Sequence, residues 1–301
     1  MYNYKIYGLN IKSNIKIDFL TQTRNIKHID IVIENSIDSS SFIIEKEINK
    51  CVSHNKENNI LLDIPNIARY EITDEKIIIF PYYGIDNQTI INFLISSALP
   101  YFLTKKGKIL LKGCGFTKDE KTADLILGYS GVGKSTILAA LCKKEYEILA
   151  DQFCVLSLEN NKVYIEPAFP KIKLWLQATR LLKINIHELK KVRPNLKRYY
   201  WKAPFYKNKL EIKNIFKINE QNLEDKNSIE KIIGVKKINL LQNFIFGSEL
   251  NELYKKNKVN TAKIIFPLAS QTNFFKILNI RGKTTIKDLV KLIESKENEE
   301  K

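Results

Sequence analysis

Gly128-Tyr129-Ser130-Gly131-Val132-Gly133-Lys134-Ser135-Thr136 follows the apolar run Ala123 to Leu127 and precedes a stretch whose residues predict a helix from about Lys134 to Lys143. Consecutive backbone N–H groups can point at one anion only where the chain curls tightly and no side chain blocks the approach, which is the use of Gly128, Gly131 and Gly133. The helix that follows directs its positive end at the same anion. Lys134 supplies a mobile cation for the outer phosphates, and the Ser135 hydroxyl is spaced to reach a magnesium ion. The predicted nucleotide-binding segment is therefore Gly128, Ser130, Gly131, Val132, Gly133, Lys134, Ser135 and Thr136, with Thr136 mainly structural. In a chain with only 11 glycines, the G-x-x-x-x-G-K-[ST] spacing is a specific signal, and it predicts a nucleoside triphosphate with Mg2+ as the ligand.

Magnesium needs a further oxygen ligand, and transfer of phosphate to a hydroxyl benefits from a carboxylate that takes the proton. Asp151 ends the apolar stretch Tyr146 to Ala150, which reads as a strand. The carboxyl ends of such strands are where ligands sit in wound α/β sheets. Asp151 is thus the candidate for catalysis and, with Ser135, for the metal, although one carboxylate cannot easily serve both.

Working outward, the first hundred residues read as short β-rich pieces: Tyr2 to Ile11, Ile29 to Glu34, Phe42 to Glu47, Ile60 to Ile64 and Ile77 to Tyr83. Polar clusters such as Ser36 to Ser41 separate them, so a mainly antiparallel layer is expected. From Asn87 to Lys105 the period turns helical, with Ile90, Ile91, Leu94, Ile95, Ala98, Leu99 and Phe102 on one face. The expected organisation is a β-rich region at 1–106 ending in a helix, with an acceptor-recognition role inferred from position, and an α/β domain at 107–301. Within the second, Ile232 to Leu240 reads as a strand, Ser248 to Lys256 and Thr285 to Ser295 as helices, and Trp175 with Leu181 and Leu182 as helix core. Thr285 and Asp288 have capping-box spacing.

The 49 Lys plus Arg against 33 Asp plus Glu give a formal charge of +16. The surplus is spread along the whole chain, alongside abundant Ile and Asn, which disfavours a dedicated nucleic-acid patch. Cys51, Cys114, Cys142 and Cys154 form no C-x-x-C pair, and His28, His54 and His187 do not cluster with them at metal spacing. Free thiols, the absence of a signal-type apolar start and the interrupted greasy segment Ile90 to Leu103 together predict a cytoplasmic protein that does not span a membrane.

Four ordered landmarks carry a resemblance: Leu110-Leu111-Lys112-Gly113-Cys114-Gly115, the glycine loop, Ile148-Leu149-Ala150-Asp151-Gln152, and Phe169-Pro170-Lys171-Ile172-Lys173-Leu174-Trp175. Together they resemble HPr kinase/phosphorylase-like proteins, most of all the stand-alone group that includes lasso-peptide serine kinases. The resemblance runs from the opening YKIYGLNIKS to the segment Arg281 to Ile293. It implies an α/β fold with a P-loop kinase core related to ATP-dependent phosphoenolpyruvate carboxykinase, preceded by the β-rich N-terminal region. It also implies transfer of phosphate from ATP to a serine hydroxyl of a protein or peptide, in a family some of whose members are homo-oligomers. Where the family has a histidine before the loop this chain has Lys112, and where it has paired aspartates this chain has Asp151-Gln152. A lysine offers charge to a phosphate but is a poor proton shuttle unless its pKa is strongly lowered. Gln152 can orient a hydroxyl but binds magnesium weakly.

The catalytic set on this reading is Asp151, Lys134, Lys112 and Gln152. Lys171, Lys173, Arg198 and Arg281 are cations that could meet phosphate or an acceptor. Two other readings stay open: a nucleotide-binding sensor or assembly protein without catalysis, and, with less support, an ATPase stimulated by nucleic acid.

Overall fold

The computed structural model describes residues 1–298 apart from Asn25, Lys27, 222–228 and 281–283. The chain folds as two units, one made of Met1–Leu110, Lys191–Leu196 and Phe246–Asn260, the other of Leu111–Lys190, Lys197–Ile245 and Thr261–Lys301. The predicted cation Arg281 therefore lies outside the described residues.

In the first unit the β-branched runs form β1 (Tyr2–Ile6), β2 (Leu9–Ser13), β3 (Ile31–Asn35), β4 (Lys46–Asn49), β5 (Val52–His54), β6 (Ile60–Ile64), β7 (Ala68–Ile72) and β8 (Lys76–Pro81). They build one sheet in the order β1-β2-β3-β8-β7-β6-β5-β4. β3 is parallel to both β2 and β8, and the other pairs are antiparallel. Alternation puts Ala68, Tyr70 and Ile72 of β7 inside, as a sheet with one covered face requires. The greasy segment after it is helical: α1 (Asn87–Phe93) and α2 (Leu99–Lys105) joined by a π-helical turn at Leu94–Ala98. Pro100 has no N–H to give the preceding turn, and the wider π turn sits immediately before it.

The second unit holds β9 (Ile109–Thr117), β10 (Thr122–Leu127), α3 (Lys134–Cys142), β11 (Glu147–Ala150), β12 (Phe153–Glu159), β13 (Lys162–Glu166), β14 (Lys171–Trp175), α4 (Leu176–Leu181), β15 (Lys190–Lys191), β16 (Arg198–Lys202), β17 (Leu210–Gln221) and β18 (Ile229–Ile232). The remaining elements are α5 (Lys236–Gln242), α6 (Lys255–Gln271), β19 (Asn273–Ile280) and α7 (Ile286–Asn298); α6 runs across the boundary between the units. The main sheet is mixed, in the order β10-β9-β12-β13-β17-β19-β18. β10 also pairs with β17, so the path from β10 through β9, β12, β13 and β17 closes on itself. Inside that ring space is short: a Cβ on Gly115 would lie 2.2 Å from Ile165 Cδ1 and 3.3 Å from Leu125 Cδ2.

Several sequence expectations are corrected here. The strand after α3, β11, pairs antiparallel with β9, and the parallel neighbour of β10 is β17. Ile232 to Leu240 is the end of β18 followed by the start of α5. Ser248–Leu250 is only a 3-10 turn, and the helix in that region is α6. A short apolar run does not distinguish strand from buried helix by period alone. Among the described residues no helix is long and apolar enough to cross a membrane.

Candidate functional site

β10 is buried from Ala123 to Leu127 and delivers the chain into the loop that begins at Gly128. Gly131 at φ +96° and Gly133 at φ +91° then curl the backbone through conformations that side chains disfavour. Gly133 is the N-cap of α3 and has no side chain with which to bond the N–H groups of the first turn. Lys134 folds back over the loop, its Nζ 2.7 Å from Gly128 O and 2.8 Å from Tyr129 O. Burial pushes the Lys134 ammonium below its usual pKa, opposed by Cys114 and Asp151. α3 itself is anchored by Ile137, Leu138 and Leu141, which pack in one core with Leu289, Val290 and Ile293 of α7.

Asp151 follows β11 and is only 4% exposed. Gln152, at φ +81°, turns the chain there into β12, and its carbonyl accepts Gly113 N at 3.0 Å. Three donors from three segments meet the Asp151 carboxylate. Ser135 Oγ lies 2.8 Å and Cys114 Sγ 3.2 Å from Oδ1, and Lys173 N lies 3.1 Å from Oδ2. Burial raises the Cys114 thiol well above its usual pKa, so it stays protonated and donates.

The cations around this carboxylate come from β14 and β16. Lys173 is buried, and desolvation with Arg198 beside it lowers its ammonium to about 7, Asp151 pulling the other way. Its Nζ lies 5.7 Å from the centre of the Tyr200 ring. The Arg198 guanidinium sits 5.4 Å from the Trp175 ring centre, with Nη2 at a long 3.5 Å from Lys173 O. Burial lowers the pKa of Arg198 too, again opposed by Asp151.

Thus Lys134, Ser135, Asp151, Lys173 and Arg198 of the predicted residues gather in one place. Ser130 is exposed, Val132 is buried against the core, and Thr136 is half-buried in the first turn of α3. Lys112 is an exposed side chain of β9 whose backbone N donates to Phe244 O at 2.7 Å. Lys171 lies two residues before Lys173 on β14. Trp175, expected in a helix core, is the last residue of β14 and 51% exposed. Sequence reasoning missed the Cys114 thiol, the Lys173 backbone donor and the Trp175 stack on Arg198. The alternation of Lys171, Lys173 and Trp175 was the available signal for the last.

Among the described residues, no group of three or more His, Cys, Asp or Glu side chains could hold a metal by itself. One hydroxyl and one carboxylate at 2.8 Å fit a cation that takes most of its ligands from phosphates and water, as magnesium does.

No family model and no curated protein matches this chain. Among solved structures, the Hpr(Ser) kinase/phosphatase from Coxiella burnetii is similar over 64% of this chain and 92% of that one, at 14% identity and a TM-score of 0.34. That degree of likeness fixes neither activity nor substrate.

Proposed function

We propose that this chain is an ATP-dependent kinase that moves a phosphoryl group to a serine hydroxyl of a protein or peptide. The observation that carries the reading is the coupling of the glycine loop to a single buried carboxylate, through Ser135 Oγ and Asp151 Oδ1 at 2.8 Å. In the nucleotide complex Lys134 leaves the carbonyls of Gly128 and Tyr129 for the outer phosphates, and the N–H groups of the loop and of the first turn of α3 take the remaining oxygens. Ser135 would hold magnesium, which when bound neutralises phosphate charge, and Asp151, unable to serve metal and acceptor together, is kept for the acceptor hydroxyl. The acceptor oxygen bonds to the γ-phosphorus as the bond to the β-phosphate oxygen breaks, ADP leaves, and Asp151 receives the hydroxyl proton. Lys173 and Arg198 offset the charge that spreads over the transferred group.

A second reading, a nucleotide-binding sensor or assembly protein, is favoured by one specific feature: Asp151 already accepts three hydrogen bonds, and its neighbour is Gln152 rather than a second acid. Transfer separates the two. Purified protein is titrated with magnesium ATP by calorimetry, then incubated with γ-labelled ATP and serine-containing acceptors. Lys134→Ala is expected to abolish or greatly weaken binding, and Asp151→Asn to bind nucleotide without transferring label. Full transfer by Asp151→Asn would show the carboxylate to be misassigned. A wild-type protein that takes up neither ATP nor GTP would remove both readings.

A further inference from the structure

β14 and β16 belong to a separate three-stranded sheet, ordered β14-β16-β15. Directly opposed residues of an antiparallel pair share a face, so the register assigns every side chain to a side. One face carries Ile172 with Trp201 and Leu174 with Tyr199, and Ile172, Leu174 and Trp201 pack into the core beneath α3. The other face carries Lys171 with Lys202, Lys173 with Tyr200, and Trp175 with Arg198. Its three rungs hold four cations, and neither strand contains an acid.

Two features of this face do nothing for folding. Like charges directly opposed across strands destabilise a sheet, yet Lys171 faces Lys202. Burial lowers the Lys171 ammonium, and the charges that add to the effect are those of Lys202 and Lys190. At the other end, Arg198 Nε is buried without a hydrogen-bond partner among the described residues, an arrangement that ordinarily costs stability. The centre of the face is tied to the candidate site, because the Lys173 N–H holds Asp151 Oδ2 at 3.1 Å.

Resting on the kinase reading above, we infer that this basic face binds an acidic segment of the acceptor chain, with carboxylates on both sides of the hydroxyl to be modified. The outer rungs are four residues apart on β14, roughly 13 Å at strand rise, so an extended acceptor with acidic side chains about four residues apart reaches both. A peptide suits the face better than a nucleic acid. With Lys173 and Tyr200 buried at the centre, the accessible cations stand on the two outer rungs rather than in a continuous stripe, and one side of the Trp175 ring is already occupied by the Arg198 guanidinium.

The test uses the full chain and two fluorescein-labelled peptides, one with a serine flanked at two residues on either side by Glu, the other with Gln in those places. Fluorescence anisotropy is expected to show binding of the Glu peptide only. Lys171→Glu with Lys202→Glu is expected to weaken it by roughly tenfold or more. A control with the same net charge, Lys5→Glu with Lys46→Glu at exposed positions of β1 and β4, is expected to bind as wild type does. Circular dichroism confirms that each variant is folded, and Lys202→Glu alone, at an exposed position, replaces the double variant if that one unfolds. The proposal is overturned if wild type ignores the Glu peptide, if both peptides bind equally, if the two charge reversals weaken binding alike, or if single-stranded RNA or phosphatidylserine vesicles bind through this face while the peptide does not. Magnesium ATP titrated into the same wild-type sample keeps the outcomes apart, since loss of nucleotide binding there counts against the kinase reading and not against the face.

Discussion

Replacing Asp124 by Asn should make the protein relatively more stable as the pH rises. Asp124 is buried in β10, where its Oδ1 accepts Asn214 N at 3.1 Å. It is also hydrogen-bonded to Glu297 of α7, whose carboxylate accepts the Tyr146 hydroxyl. Around the pair, Lys118 lies 4.8 Å from the Tyr146 ring centre, and Glu294 pairs with Lys144 at 2.5 Å. Burial first and Glu297 second hold the Asp124 carboxyl well above the usual carboxylate range, so in the folded chain it keeps a proton that the unfolded chain releases. A pKa raised by folding contributes stability that is complete below the unfolded value, about 3.9 for Asp, and is lost as pH climbs toward the folded value. Within that window one extra bound proton costs about 1.4 kcal/mol of stability for each pH unit. In Asp124→Asn the amide oxygen can still accept Asn214 N and the NH2 can donate to Glu297 without any titration. As pH rises from about 5 to about 7 the stability difference should therefore move in favour of the variant. Urea unfolding of both proteins at several pH values measures it. A difference that stays constant over that range would refute the shared-proton account, and with it the claim that α7 is clamped to the strand feeding the glycine loop.

Asp151→Ala leaves Ser135, Cys114 and the Lys173 N–H without their acceptor and removes the charge opposing buried Lys173 and Arg198. It should cost about 3–5 kcal/mol in urea unfolding without any ligand, and a loss below about 1 kcal/mol would mean that the carboxylate is not structural. Gly115→Ala, with its new methyl 2.2 Å from Ile165 Cδ1, should cost about 1–3 kcal/mol. Adding Ile165→Val, which deletes that atom, should return much of the loss, and a double variant no more stable than the single one would place the strain elsewhere.

What could be read from the residues alone divides according to how local the cause is. The glycine loop was legible because its requirements, φ above zero at Gly131 and Gly133 and a cation next to the helix start, act within nine residues of chain. The capping box of α7 was legible for the same reason, Thr285 and Asp288 exchanging hydrogen bonds three residues apart. β10 beside β17 was not, since Asp124 stands opposite Asn214 across 90 positions of sequence. No local period records which distant strand will supply the next ladder.

The candidate site falls on both sides of that line. Asp151 could be singled out as a strand-end carboxylate, but its partners Ser135, Lys173 and Cys114 lie 16, 22 and 37 residues away. Only the pairing of β11 with β9, and the approach of β14 to the same carboxylate, bring them within reach. Trp175 was misread for a related reason. Its neighbours Leu181 and Leu182 have helical spacing, whereas its actual partner, Arg198, is defined by the cross-strand register of β14 and β16. A sheet's faces are decided by a two-residue period along each strand and by register between strands. A single-residue slip of β16 would set Lys202 opposite Ile172 and Tyr200 opposite Leu174, turning Lys202 and Arg198 onto the core face and Trp201 out of it. Burial of Ile172 and Leu174 in the α3 core thus fixes the register, and by fixing it obliges Lys171, Lys202 and Arg198 to share the opposite face. The hydrophobic requirement of the core is thus also what concentrates positive charge beside Asp151.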